Sequence, residues 1–277
     1  MNIEFKNMKV SDGTKFENRN FVDYDFTKSD LTMVVFENCN FSNCIFHKTN
    51  LDNTRLWCCF FDGCNFVNVN IAATTLGGWG GGFSNCVFEK CKFGGHIGGS
   101  YFIDSAFNNC KIKTVYFQTY LMKNIRFVGL LNDLGFRKFI NEDIYKYQSR
   151  ETGKQVENKI RKVVGKAFES EKVILENVDF SGSRILFLDL KNYDTSGIIA
   201  PSDDKHLLIQ NIAPVARKVY ADIEQNWSNE NTKSWALRCA ENYFPCTTEI
   251  ISFHEFKHFE NDEFGENLMN LFIKHSN

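Results

Sequence analysis

Large apolar residues recur every fifth position through the first quarter of the chain. They fall at Phe16, Phe21, Phe26, Leu31, Phe36, Phe41, Phe46, Leu51, Leu56, Phe61, Phe66, Ile71 and Leu76, thirteen in unbroken succession. Two residues ahead of each stands a small or β-branched side chain, as at Ser29, Val34, Cys39, Thr49 and Cys64, with Arg19 and Tyr24 as exceptions. The residue directly ahead is often Asn or Asp, as at Asn20, Asp25, Asp30, Asn40, Asn50, Asn65 and Asn70. A period of five fits neither a helix at about 3.6 nor a strand at about 2. It fits a chain that turns a corner every five residues and sends the same two positions inward. Short fixed-period repeats of this kind predict a stacked solenoid, in which each unit buries its apolar face against its neighbours.

The pattern begins at Ile3/Phe5 and Met8/Val10, shifts by one residue near Asp12-Gly13, and runs to Leu76. Gly77–Gly82 interrupts it, and Phe83, Phe88 and Phe93 resume it with Cys86 and Cys91 in the small position. Gly94–Gly99 shifts the phase again before Phe102, Phe107, Ile112, Phe117, Met122 and Phe127. Weakening at Tyr120 and Ile125 predicts that the stack, residues 1–130, closes there. Over 131–170 the spacing turns helical. Leu134, Phe136, Phe139, Ile140, Ile144 and Tyr147 form one stripe, and Val156, Ile160, Val163, Val164 and Ala167 a second. Arg150 to Gly153 is read as the break between them. Four pairs then return the period of five over 171–190: Val173/Leu175, Val178/Phe180, Ser183/Ile185 and Leu188/Leu190. The helices are thus an insertion, or a cap over the open sheet edge that ends a solenoid. From Lys191 the repeats are gone, and residues 191–277 are predicted to form a small, mainly helical domain. One helix is expected over Pro214–Trp227, with proline in its first turn. Another is expected over Thr232–Phe244 with Trp235, Cys239, Ala240 and Tyr243 inward. Ile250-Ile251 and a last helix with Leu268, Met269, Leu271 and Phe272 follow.

The units Cys39-Asn40-Phe41-Ser42-Asn43, Thr49-Asn50-Leu51-Asp52-Asn53 and Cys64-Asn65-Phe66-Val67-Asn68 resemble the pentapeptide-repeat family. The resemblance covers about residues 3–127 and 173–190 and leaves the C-terminal region aside. It implies a mainly β fold: a right-handed, quadrilateral β-helix of about twenty residues per coil, advancing about 4.8 Å per coil. Fold does not imply function.

The 277-residue chain has a formal net charge of −2, which supplies neither a basic sheath for nucleic acid nor an acidic tail. The N-terminal residues lack a signal-peptide pattern, and no apolar run reaches the length of a membrane span. The chain reads as soluble and cytoplasmic, and its bacterial origin is implied by the resemblance alone. Seven of ten cysteines, Cys39, Cys44, Cys59, Cys64, Cys86, Cys91 and Cys110, occupy the small inward position. The coil therefore sets their spacing, and they read as small buried hydrophobes.

His254-Glu255-Phe256-Lys257-His258 is a literal H-E-x-x-H, the spacing that places two zinc ligands and a general base on one helical face. Ser252 and Glu255 equally fit a capping box that starts a helix at Phe253. A third ligand would have to come from Glu260, Asp262, Glu263, Glu266 or His275. The glycine-rich stretches lack the Lys-Ser/Thr of a phosphate loop. They read either as tolerated bulges or as mobile loops that expose Trp79 and His96-Ile97 to a partner.

The leading expectation is a non-enzymatic protein-interaction module with no cofactor and no membrane contact. Its C-terminal domain would supply a partner surface or a homodimer contact. The resemblance implies a rival, a mimic of duplex DNA that protects type II topoisomerases such as gyrase. The charge weighs against it: residues 1–130 hold thirteen Lys plus Arg and eleven Asp plus Glu. A zinc hydrolase through His254 and His258 is a third alternative.

Overall fold

The computed structural model describes residues 5–72, 74–140, 142–145, 149–190 and 193–276. Ile3, Tyr147 and the boundary residue Lys191 lie outside them. Three-residue strands centred on the large apolar residues pair in parallel with a shift of twenty. Phe16 lies against Phe36, Phe21 against Phe41, and Phe46 against Phe66. The chain is thus a right-handed, four-sided β-helix with a helical C-terminal region. Corners are turned by residues with positive φ, among them Asn18, Asp23, Lys28, Asn38, Asn43 and Lys48. Asn and Asp tolerate that conformation better than most residues, which suits Asn18, Asp23, Asn38 and Asn43 to the corners. The Asn and Asp directly ahead of the large residues act instead through their side chains, Asp25, Asp30, Asn50 and Asn70 each accepting from the N–H two residues on.

Inward positions stack directly on one another. Phe26, Phe46, Phe66, Phe88, Phe107, Phe127 and Phe180 form one column, with successive ring centroids 4.8, 4.6, 4.8, 4.8, 4.8 and 5.3 Å apart. A second column runs through Phe21, Phe41, Phe61, Phe83 and Phe102 at 4.8 Å per step. The small position is more than a space-saver. Thr49, Thr54 and Thr74 donate their hydroxyls to the carbonyls of Phe26, Leu31 and Leu51 in the preceding coil, at 2.8, 2.7 and 2.8 Å. Cys39, Cys44 and Cys59 donate their thiols to Phe16, Phe21 and Phe36 in the same way, each at 3.4 Å. Thr and Cys interchange there because both carry a short side chain ending in a donor.

The stack does not close near residue 130. Leu121–Lys138 is one long strand path of the next coil, so the helix expected over Leu134, Phe136 and Phe139 is absent. Past a corner at Asp133, φ 62°, Leu134, Phe136 and Phe139 are all buried, so the run of inward residues has the count of a helical stripe without its geometry. Ile140, expected inward, is exposed. Tyr120 and Ile125 mark no ending: both are fully buried. The returning segment Ile174–Leu188 lies on that coil, Met122 against Leu175 and Leu131 against Ile185. Ser183 repeats the small-position bond, to Phe127 at 3.0 Å, across the whole insertion.

Two helices form in the insertion, α1 (Glu142–Tyr145) and α2 (Arg150–Val164). Arg150–Gly153 is therefore the first turn of α2, capped by Ser149, and not a break. Val156, Ile160 and Val164 face the stack while Val163 points outward. They lie along its side, against Phe60, Tyr101, Tyr120 and Leu121, and do not cap its end. The reason is on the stack: outer positions that read Asn20 and Asn40 in the first coils become Phe60, Tyr101 and Leu121 in later ones. Gly80, at φ 109°, allows the close approach, since a Cβ there would meet Val156 Cγ1 at 2.9 Å.

The C-terminal region contains α3 (Ile212–Asn226), α4 (Glu230–Glu241), α5 (Phe253–Phe259) and α6 (Asp262–Ser276) around its own core. It also holds an antiparallel strand pair, His206–Gln210 with Thr248–Ser252. Trp235 was expected inward and is instead 42% exposed, because Ala236, Cys239 and Ala240 fill the buried stripe of α4.

Phe66 sits fully buried between Phe46 and Phe88 in the longest ring column. Phe66→Ala should cost roughly 3–5 kcal/mol, read as a large fall in the chemical-denaturation midpoint. An unchanged midpoint would contradict this register.

Candidate interaction surface

Polar side chains, of which the sequence singles out Ser252 alone, gather where the C-terminal region meets the last coil. Past Ile174–Leu188 the stack continues, among the described residues, as Asp194–Ser196 and an isolated bridge at Ile199. The backbone of Ile185 is instead satisfied by side chains. Its N–H donates to His206 Nε2 at 3.1 Å, and its carbonyl accepts from Ser252 Oγ at 2.6 Å. His206 and Ser252 are cross-strand partners, so one strand pair presents both groups at the required spacing. Because His206 Nε2 accepts, its Nδ1 carries the proton and donates to Asp203 Oδ1 at 2.8 Å. Glu249 accepts from the Leu190 N–H at 3.4 Å and from Ile250 N–H at 3.2 Å. Tyr193 does the same one coil earlier, accepting from the Phe136 N–H and donating to its carbonyl. Buried backbone groups need partners, and an open edge invites aggregation. Asp203, His206 and Ser252 have the composition of a hydrolytic triad, but here hydroxyl and imidazole grip the two ends of one residue's backbone.

The H-E-x-x-H sits on α5, which starts at Phe253 with Ser252 as its N-cap, accepting from His254 N–H at 3.1 Å. Glu255 accepts from the Tyr243 hydroxyl at 3.3 Å. The His258 ring meets Phe187 edge-on, with centroids 5.4 Å apart. Among the described residues no three His, Cys, Asp or Glu side chains converge on a metal position. Burial holds His254 below the ordinary histidine value. Its Nδ1 is buried with no hydrogen-bond partner, beside the His206 ring at 5.7 Å.

The glycine-flanked candidates are placed otherwise than expected. Gly94–Gly99 is no mobile loop: Lys92–Gly98 is a strand, and Ile97 is 1% exposed against Phe117, in register. The His96 side chain lies outside the described residues. Trp79 is half-buried against Trp57, with centroids 4.1 Å apart, at the margin of the α2 contact. Its carbonyl accepts from the Cys58 thiol at 2.6 Å. Ten free cysteines are all buried.

With α2 along one side and the C-terminal region on the last coil, another long face of the stack is left uncovered. One of its columns runs Asp25, Ile45, Asn65, Val87, Ala106, Arg126, Asp179 and Ile199. Ile45 and Ile199 are exposed on it, 41% and 46%. No described helix is long and apolar enough to cross a membrane.

Residues 20–57 and 44–78 match the family model for pentapeptide repeats, described as eight copies. The four-sided stack is a pentapeptide-repeat solenoid. No curated protein matches the chain. Among solved structures it is similar to HetL, a pentapeptide repeat protein involved in heterocyst differentiation regulation from the cyanobacterium Nostoc sp. strain PCC 7120. That likeness has 11% identity and a TM-score of 0.34, over 72% of this chain and 87% of that one. It is also similar to trypsin-treated QnrB1, a plasmid-mediated fluoroquinolone resistance protein, at 15% identity and a TM-score of 0.27, over 73% and 91%. Scores this low leave function to be argued from this chain's own residues.

Burial, with the neighbouring Glu255 carboxylate, holds Glu249 well above the ordinary carboxylate range. The native state therefore keeps a proton that the unfolded chain releases above about 4.3. This contribution is complete below that value and is lost as pH rises toward the native one. Glu249→Gln, which cannot ionise but keeps only one of the two acceptor oxygens, should lower Tm near pH 5 and flatten its dependence on pH between about 5 and 8. Identical slopes would refute the assignment.

Elemental analysis should find no stoichiometric zinc in protein purified without chelator, and His258→Ala should leave Tm nearly unchanged. One zinc per chain, lost in that variant, would restore the hydrolase alternative.

Proposed function

We propose that the protein is a non-enzymatic interaction scaffold that presents the uncovered long face of its solenoid to a protein partner. The observation that supports this is the disposition of side chains. The large residues of the repeat are committed inward, the Asp203–His206–Ser252 group is tied to backbone, and the free face is flat and mixed in polarity. Eight residues of the Asp25–Ile199 column extend over about 34 Å at parallel-strand spacing, long enough for a substantial protein contact. Isolated apolar residues among polar ones suit a partner that comes and goes.

Charge argues against mimicry of duplex DNA, which carries one negative charge per about 1.7 Å of axis. The carboxylates here are dispersed and often matched: Asp25 faces Lys6, Asp30 faces Lys9, Glu37 faces Lys15, and Asp179 faces Arg126. Asp25 and Asp30 are followed in their columns by Ile45 and Asn50, so neither starts an acidic stripe.

A photo-crosslinking residue in place of Ile45 should yield a discrete protein adduct in the host cell. The same residue in place of the outward Val163 of α2 should not. Equal or absent adducts from both positions would count against the scaffold. In a supercoiling assay the protein should not protect gyrase from a fluoroquinolone; protection at small molar excess would favour the mimic.

A further inference from the structure

Four lysines gather on two adjacent coils at the edge of the free face. Lys92 pairs in register with Lys111, which brings two cationic side chains out of parallel strands about 4.8 Å apart. Lys111 and Lys113 flank the inward Ile112 on one strand and are both exposed, so they leave the same side about 6.6 Å apart. Lys90, at the corner before Lys92, pairs with its neighbour Glu89 at 3.1 Å. Among the described residues, Lys92, Lys111 and Lys113 form no ion pair, whereas Lys15, Lys123 and Arg126 face Glu37, Glu176 and Asp179 across coils. The nearest other carboxylate in sequence register is Asp133, one residue past Asn132, the partner of Lys113. Like charges directly opposite in a sheet are destabilising, so nothing in the fold accounts for Lys92 over Lys111.

Beside them is an open depression of about 310 Å³, lined by Lys111, Ile112, Lys113, Gly129, Leu130 and Asn132. Leu130 is 47% exposed at its rim. An unmatched cation cluster and an apolar recess thus share one corner.

We infer that this corner binds an extended acidic segment of a protein partner that carries one aliphatic side chain, which takes the scaffold reading as its premise. In an extended peptide, carboxylates at alternate positions leave one side about 6.6 Å apart, the spacing from Lys111 to Lys113. One carboxylate meets both Lys92 and Lys111 where the coils stack, the next meets Lys113, and an aliphatic side chain further along enters the recess beside Leu130. Nucleic acid fits less well. The four cations are all lysine, the lining of the recess has no aromatic ring for base stacking, and two coils engage few phosphates.

The test uses the full chain and a short labelled peptide that alternates Asp with Thr and carries one Leu, followed by fluorescence anisotropy. Charge reversal at two exposed positions, Lys92→Glu with Lys111→Glu, should weaken binding by about tenfold or more. Leu130→Ser, or Leu→Ala in the peptide, should each weaken it severalfold. Thermal melts check that the variants stay folded. Binding unaffected by charge reversal, indifference to the peptide Leu, or tighter binding of duplex DNA at the same lysines would each overturn the proposal. If the charge-reversed protein still forms its adduct from position 45, the scaffold reading stands and this one falls.

Discussion

The structure depends on one constraint: parallel coils stack in register, so each position of a repeat sits directly over the same position of the next. A column must therefore be self-compatible. Phenylalanine meets this well, because flat rings repeat at the strand spacing, as from Phe26 through Phe127. Cysteine and threonine meet it at the small position by passing a hydrogen bond to the coil before. Asn at the corners meets it too, since Asn18 and Asn38 bond side chain to side chain. The same rule makes a like-charge column a poor choice, which gives Lys92 over Lys111 its weight.

A stack built this way has two weak points, its ends and any apolar outer face. Its C-terminal end and its apolar outer strip are handled here by sequence outside the repeat. The insertion covers the apolar strip of Phe60, Tyr101 and Leu121, and Lys159 lies over the Phe60 ring at 3.5 Å. Burial there pulls the Lys159 ammonium down to about 8. The C-terminal region ends the sheet by another route. It adds no full strand to Ile185 and uses His206, Ser252 and Glu249 as substitutes for the missing backbone. Side chains that satisfy an edge in this way stop its growth, since their own strand pair lies elsewhere.

The repeat and its register were legible in sequence because a strict period leaves few alternatives: the same two residues in five must be inward in every coil. The cysteines followed from that reading, and so did the return of the coil at Val173 to Leu190. Errors arose where local spacing imitated another element. Leu134, Phe136 and Phe139, read as part of a helical stripe, are instead buried at the end of one strand path. Ile97 looked like a loop anchor because glycines surround it, yet those glycines lie in a strand where coils approach closely. A Cβ on Gly77 would come within 2.5 Å of the Gly98 carbonyl.

Sequence alone therefore determined the solenoid, its inward residues and the existence of helical segments outside it. Tertiary structure alone decided where those segments go. Whether α2 lies along the stack or over its end depends on which outer residues are apolar in neighbouring coils, and those are separated by about twenty positions. The pairing of His206 and Ser252 with Ile185 joins residues far apart in the chain, with no motif to announce it. Likewise, Lys92 and Lys111 become neighbours only when one coil settles on the next.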